Sequence, residues 1–531
     1  MLKKTLFWVF AMGLCIQAYA QDPIATKFAK RISASDARKH LSILASDAFE
    51  GRETGKPGAE KAAQYIASQF KKFGLQAPVN GSYFQNIELV ENVFEVKSFV
   101  VNGKALAYAK DFYFSGTPNP QTIKTDEIVY IGYGIDSETY SDLKGTDIEG
   151  KVVLLINKDE PIYKGKSAIT KTEETSEWTT NSQKRVRYIQ SKNPALILAV
   201  SPDVEGTIEN YQSYFLSRGK LAIKRPVTTS AEAQLAPVAN IPPAIADLFL
   251  KNSSKTYEEL KASINESSEP KTQSVKVNFM ADFGTQIKDV HSKNVLGFLP
   301  GTDLKDEILV FSAHYDHIGI SDTGDDRINN GADDDGSGTT AVIELARAFT
   351  EAKKKGKGPR RSILFLTVAG EEKGLLGSEW YSEHPVFPLG QTITDLNIDM
   401  IGRVDPSHAG KPNYCYLIGS DKLSTDLHKI SENANSIYTK LTIDYKFNDP
   451  NDPERIYYRS DHYNFAKHNI PIIFYFNGVH EDYHKPSDEV SKINFSLLVK
   501  RAQLVYYTGW DLANRDKRPT VDVKNDMPAN R

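Results

Sequence analysis

The chain has 531 residues, 40% hydrophobic and 25% charged, and its 65 basic and 68 acidic side chains leave a formal net charge of −3. That length exceeds what one hydrophobic core serves, so two domains are expected. The near-balanced charge gives no electrostatic case for nucleic acid or an anionic membrane, and the sequence holds no P-loop, no zinc-ribbon spacing and no spanning apolar stretch.

The chain opens with Lys3 and Lys4, an apolar run from Thr5 to Ile16, and the small-residue site Ala18-Tyr19-Ala20 before Gln21. This predicts an export signal over 1–20 and a periplasmic or extracellular protein, the run being too short to span a bilayer. Lipid attachment at Cys15 is disfavoured by the bulky Leu14 before it. Cys415 is then the only remaining cysteine, so stability must come from the core and from any bound metal rather than from a disulfide.

Residues 21–120 are expected to form the N-terminal part of the main domain, which resumes at 270. From 121 to 269 the pattern changes to short apolar strands, such as Ile128 to Ile131, Lys151 to Ile156 and Leu196 to Val200, separated by turns such as Ser201-Pro202-Asp203. This segment reads as a β-rich insert without a metal-ligand set. The polar stretch Asn252 to Gln273 leads back to the main domain over 270–515, and a charged tail over 516–531 is expected to stay unstructured. The lysine-rich run Lys353 to Gly358 reads as a solvated loop.

The main domain alternates strands with helices. Ile308 to Phe311, Ser362 to Val368, Leu396 to Met400 and Pro471 to Phe476 are apolar strand candidates, and Ala341, Val342, Leu345, Ala346 and Phe349 recur at helical spacing. Such alternation predicts an α/β fold with a mostly parallel or mixed central sheet flanked by helices. Ligands of open α/β sheets gather beyond the carboxyl ends of the strands. Five clusters lie near such positions: Ala313-His314-Tyr315-Asp316, Gly331 to Gly336 with its Asp333-Asp334-Asp335 run, Gly370-Glu371-Glu372, Asn397 to Met400 with Asp399, and Tyr483-His484-Lys485. Taken singly, an aspartate run reads as a solvated loop and a Glu-Glu pair as surface charge; the run also lacks the alternating acids of a calcium loop. Together, two histidines and three carboxylates can build adjacent zinc sites with one carboxylate left as a base.

In this order the clusters resemble the co-catalytic di-zinc aminopeptidases, secreted bacterial exopeptidases related to glutamate carboxypeptidase. Leu44-Ala45-Ser46-Asp47, Glu50-Gly51-Arg52, Lys56-Pro57-Gly58 and Asn294 to Gly301 resemble the same family. Tyr133-Gly134-Ile135 and Gly150 to Leu154 resemble the protease-associated domain that some members carry as an insert. The resemblance implies a zinc exopeptidase-like fold and two Zn2+ per chain. His314 and Asp399 would hold one ion, Glu372 and His484 the other, and Asp334 would bridge them. Glu371 would be the general base, Asp316 would hydrogen-bond and orient His314, and Tyr483 would steady the oxyanion. Arg459-Ser460-Asp461-His462 resembles a family motif, with His462 as a candidate brace; the other histidines, including His317 and His480, read as ordinary surface or core residues. The implied partners are peptides with a free N-terminus, with no nucleic acid and no membrane insertion, and the oligomeric state is not given. Two alternatives stay open: a carboxypeptidase or dipeptidase on the same scaffold, for which Arg403 and Arg459 are the candidate carboxylate binders, and a non-catalytic peptide-binding ectodomain.

Overall fold

The structure is a computed structural model that describes residues 21–181, 183–216, 219–225 and 235–528. The expected export signal and Cys15 lie outside these residues. The chain divides into two compact units, one formed by 1–89 and 290–531, the other by 90–289.

Besides the start of the strand Phe84–Val101, the described residues of the first unit form a path of seven strands: the end of β1 (Gln273–Leu299), β2 (Leu304–His314), β3 (Arg361–Val368), β4 (Thr392–Ile398), β5 (Tyr414–Ile418), β6 (Thr442–Asp444) and β7 (Ile472–Phe476). Their order is β6-β5-β7-β4-β2-β3-β1. The central strands β7, β4, β2 and β3 run parallel, with Ile398 opposite Tyr475, Ser312 opposite Asn397, and His314 opposite Val368. Strands β3, β4, β5 and β7 are buried along their whole length, as expected for strands covered on both faces. Because four neighbours are parallel, their carboxyl ends open on one edge, and the residues after His314, Val368, Ile398 and Phe476 emerge there together.

Helices cover this sheet. Helix α1 (Ala34–Leu44) is capped by Ser33; α2 (Pro57–Phe73) begins at a proline and stops at Gly74, whose φ of 89° suits glycine at a helix end. Helix α3 (Gly336–Lys354) is buried over most of its length and begins at Asp335, whose side chain takes the Gly338 N–H at 2.8 Å. Helix α4 (Phe495–Asn514) buries Arg501, which donates to the carbonyls of Tyr414, Ile401 and Arg403.

The tail expected to stay unstructured is instead docked over 516–528. Asp522 takes the Thr425 N–H at 2.8 Å, Lys422 pairs with Asp526 at 2.9 Å, and Met527 is buried in the aromatic core around Tyr457 and Phe474. One apolar side chain and two carboxylates matched to donors outweigh the tail's polar composition.

The second unit encloses the expected insert and extends beyond it at both ends. Phe94, Phe99, Phe112 and Phe114 pack with Phe279 and Phe283 in its core, drawing 90–120 and 270–289 into it. It is also less purely β than its composition implies. Gln121–Tyr130, Val152–Ile156, Leu196–Val200 and Val238–Ile241 are parallel neighbours, accompanied by helices such as Lys184–Gln190 and Tyr257–Ser267.

Candidate metal centre

Each acidic or histidine cluster of the first unit reaches the same strand edge by its own local device. His314 is the last residue of β2, and its carbonyl accepts the Thr339 hydroxyl at 2.6 Å. The three consecutive aspartates have three different jobs. Asp335 caps α3 and also takes the Met400 N–H at 3.1 Å. Asp333 takes the Gly402 N–H at 2.6 Å and sits 3.3 Å from His480 Nε2. Asp334 alone faces the other clusters: its Oδ1 is 3.3 Å from His314 Nε2 and its Oδ2 is 3.1 Å from His484 Nε2. Asp488 holds this turn, its Oδ2 accepting the N–H groups of Asp333 and Asp334 at 2.9 and 3.2 Å.

Asp399 follows β4 and lies 3.6 Å from His314 Nε2; the Ser460 hydroxyl donates to it at 2.7 Å. Glu371 and Glu372 follow β3 and diverge. Glu371 Oε2 is 3.9 Å from His314 Nε2, while Glu372 Oε2 is 3.0 Å from His484 Nε2. Burial, with Glu372 and Asp399 reinforcing it against the pull of His314, drives the Glu371 carboxyl well above its usual range. Burial and Asp334 act the same way on Glu372, but the hydrogen bonds of His317 and His484 hold it below that range. Neighbours in sequence are thus pushed in opposite directions by where their side chains point.

The segment 44–57 locks the two loops that carry His314 and Asp334. Arg52 is 1% exposed, and its guanidinium donates to the carbonyls of Leu44, Tyr315, Asn330 and Gly331 at 2.6–2.9 Å. Gly51 lies so close that a Cβ there would come within 2.5 Å of the Gly319 carbonyl oxygen.

Asp316 is buried, and its carboxylate does not make the expected bond to His314. His314 Nδ1 is 3.1 Å from the backbone carbonyl of Asp316 and 3.8 Å from its Oδ1. The carboxylate instead accepts the Thr54 hydroxyl at 2.6 Å and the Glu371 N–H at 3.3 Å. The chain turns so tightly after β2 that the carbonyl reaches the ring first. His462 does not reach the cluster: its Nε2 meets the Tyr457 carbonyl at 2.8 Å and its ring stacks on Phe474. Its neighbour Ser460 does the bracing.

Two residues read as ordinary are drawn into the centre. His317 Nδ1 lies 2.8 Å from Glu372 Oε1, and His480 meets Asp333. The only sequence signal for His317 was its place three residues beyond His314. Tyr483 stacks on His484 with ring centroids 3.9 Å apart, and its hydroxyl oxygen accepts from Arg459 Nη2 at 3.3 Å. Tyr483, Arg459, Glu371, Asp399, His314 and Asp334 line one cleft whose remaining wall is apolar: Met400, Ile456, Phe474, Phe476 and Val479. Arg403 is not in that lining; it is buried and pairs with Asp482 at 2.8 Å.

The donor set fits hard or borderline cations. Two groups stand close enough to hold ions, His314 with Glu371 and Asp399, and His317 with Asp334 and Glu372. The distances of 3.0–3.6 Å among His314, Asp334, Asp399, Glu372 and His484 compare with tetrahedron edges of about 3.3–3.6 Å for bonds of ~2.0–2.2 Å. Asp334 is buried, with its Oδ2 3.1 Å from His484 Nε2 and 3.7 Å from His317 Nδ1, ring nitrogens that with this carboxylate form a donor set a cation would suit.

Residues 294–509 match the profile of Peptidase family M28. Transferrin receptor protein 1 of Gallus gallus is 23% identical over 434 residues, 78% of this chain and 52% of that protein. Aminopeptidase YwaD of Bacillus subtilis (strain 168) is 26% identical over 257 residues, 45% of this chain and 48% of that protein. The chain therefore spans about half the length of these curated relatives. A solved structure described as an aminopeptidase from Aneurinibacillus sp. strain AM-1 shares the fold, with a TM-score of 0.50 at 19% identity, covering 96% of this chain and 100% of that one.

Proposed function

From a region, 294–509, that is of peptidase family M28, we propose a metal-dependent aminopeptidase that removes N-terminal residues from peptides with two zinc ions. One observation carries the two-ion reading: the two oxygens of Asp334 face two different histidines, His314 and His484. His314, Asp399 and Asp334 Oδ1 would hold one ion, and His484, Glu372 and Asp334 Oδ2 the other. Zinc held by these residues would supply Lewis acidity, activating water for attack and polarising the scissile carbonyl.

The chain's own groups do the rest. Glu371 lies at the cleft beside His314, takes the water's proton and passes it to the leaving amine. The Tyr483 hydroxyl receives Arg459 through a lone pair, which frees its own O–H to donate to the carbonyl oxygen as charge builds there. Asp316 positions the base through the Glu371 N–H, and the His314 ring through its carbonyl. Glu371 and Asp399 supply negative charge for the substrate's free ammonium group, and the apolar wall from Met400 to Val479 accommodates an apolar first side chain. Export through residues 1–20 would deliver the enzyme outside the cytoplasm, and N-terminal mass mapping should find Gln21 first.

A carboxypeptidase or dipeptidase remains the second reading because Arg459 is exposed at the cleft and pairs with no carboxylate of the described residues. Arg403, already bound to Asp482, is not available for that task. One peptide with an apolar first residue, tested free, N-acetylated and C-amidated, decides between them. Acetylation should abolish cleavage and amidation should be tolerated; the reverse result assigns the enzyme to the carboxyl terminus. A protein that held metals yet cleaved none of these peptides would be a binding module.

A further inference from the structure

We infer that His317 is a positioning residue that locks Glu372 in its metal-binding orientation, an inference that rests on the two-metal reading above. The ring is completely buried, three residues beyond His314. Its backbone N–H donates to the Arg52 carbonyl at 3.1 Å, and one ring edge lies against Gly331, where an added Cβ would come within 2.5 Å of His317 Cδ2. Gly331, with φ +53°, is itself held through its carbonyl by Arg52 at 2.9 Å. The imidazole therefore has little freedom to turn.

From this fixed place Nδ1 stands 2.8 Å from Glu372 Oε1, while Glu372 Oε2 stands 3.0 Å from His484 Nε2. The carboxylate is divided between two histidines, one oxygen for each. Donation from Nδ1–H to Oε1 leaves Oε2 as the ligand atom and stops Glu372 from swinging into the cleft. Glu371 takes no such side-chain hydrogen bond from the described residues, and it is the neighbour left at the cleft. His317 thus gives a physical reason why two adjacent glutamates have different tasks. Groups that orient a metal ligand in this way are worth about 10–100-fold in metal affinity.

The test titrates zinc against a competing chelator in the full-length protein, wild type and His317→Phe, which keeps a ring but has no donor. The variant should bind one ion as wild type does and the ion at Glu372 and His484 about 10–100-fold more weakly. With cobalt(II) at saturating concentration, its absorption spectrum should match wild type, because no ligand atom has been lost. Equal affinity in both proteins would overturn the inference, and so would an altered cobalt spectrum, which would make His317 a direct ligand. If circular dichroism shows that His317→Phe is misfolded, His317→Asn, too short to reach Glu372, carries the same titration with the same expected loss. Wild-type protein that binds fewer than two ions would instead count against the two-metal reading and not against His317.

Discussion

Both units of this protein bury ionisable groups around sheets with parallel strands, yet the groups are handled in opposite ways. In 90–289 the buried carboxylates Glu160 and Asp142 are met by neutral partners. Glu160, 1% exposed, takes hydrogen bonds from the hydroxyls of Ser167, Ser176 and Thr179 and from the Ser176 N–H. Asp142 takes the Tyr140 hydroxyl at 2.7 Å and the Ile135 N–H at 3.1 Å. Asp203, beyond the strand Leu196–Val200, is exposed beside Lys158. In the first unit, by contrast, Asp334, Asp399, Glu371 and Glu372 converge on three histidines. Among the described residues, both groups able to hold a metal lie in that unit. Burial of charge is therefore not the mark of chemistry here. Convergence of several carboxylates on shared histidines is.

The largest effect should come from removing the shared ligand. Asp334→Ala should lose both ions and reduce activity to background, read by metal analysis alongside peptide hydrolysis. A variant that kept one full equivalent of zinc would break the bridging assignment. Next, Glu371→Gln should keep the metal but lower kcat by about 10²–10⁴-fold, the scale of a lost general base. Glu372→Gln should instead lower metal occupancy. Equal metal contents in the two variants would remove the distinction between the neighbours.

The second unit offers the complementary measurements. Burial, against the hydrogen bonds from Tyr140 and Ile135, pushes Asp142 up to about 7. Its folded value lies above the unfolded value of about 3.9, so the folded state binds this proton more tightly. The stability it contributes is full below about pH 4 and is lost as the pH rises through about 7. Asp142→Asn should therefore gain stability relative to wild type between about pH 4 and pH 8, by at most ~4 kcal/mol. Hydrogen exchange at the Val152–Ile156 amides would report it; a pH-independent difference would refute the assignment. The smallest effect is expected of Glu160→Ala, which strands three hydroxyl donors and should destabilise 90–289 by about 1–3 kcal/mol. Its metal content should stay unchanged, and a loss of zinc would mean that the two units are not chemically separate.

The sequence by itself determined the strand–helix alternation, because apolar runs such as Ser362 to Val368 and the helical spacing from Ala341 to Phe349 are local patterns that burial on both faces enforces. It also determined which chemistry-bearing residue types lie beyond which strands. Other features were decided only by tertiary structure, since they depend on side-chain direction and on contacts distant in sequence. That Asp333, Asp334 and Asp335 part into a brace, a facing carboxylate and a helix cap follows from their partners Gly402, His314 and Gly338. That His314 is oriented by the carbonyl of Asp316 rather than by its carboxylate is set by the tight turn after β2 and by Thr54, 262 residues away. His317 was invisible because nothing local separates a core histidine from one aimed at Glu372, 55 residues on. The reach of the second unit to 90 and 289 was hidden for the same reason: Phe99 and Phe279 carry no local sign that they pack on each other, and only the folded chain brings them together.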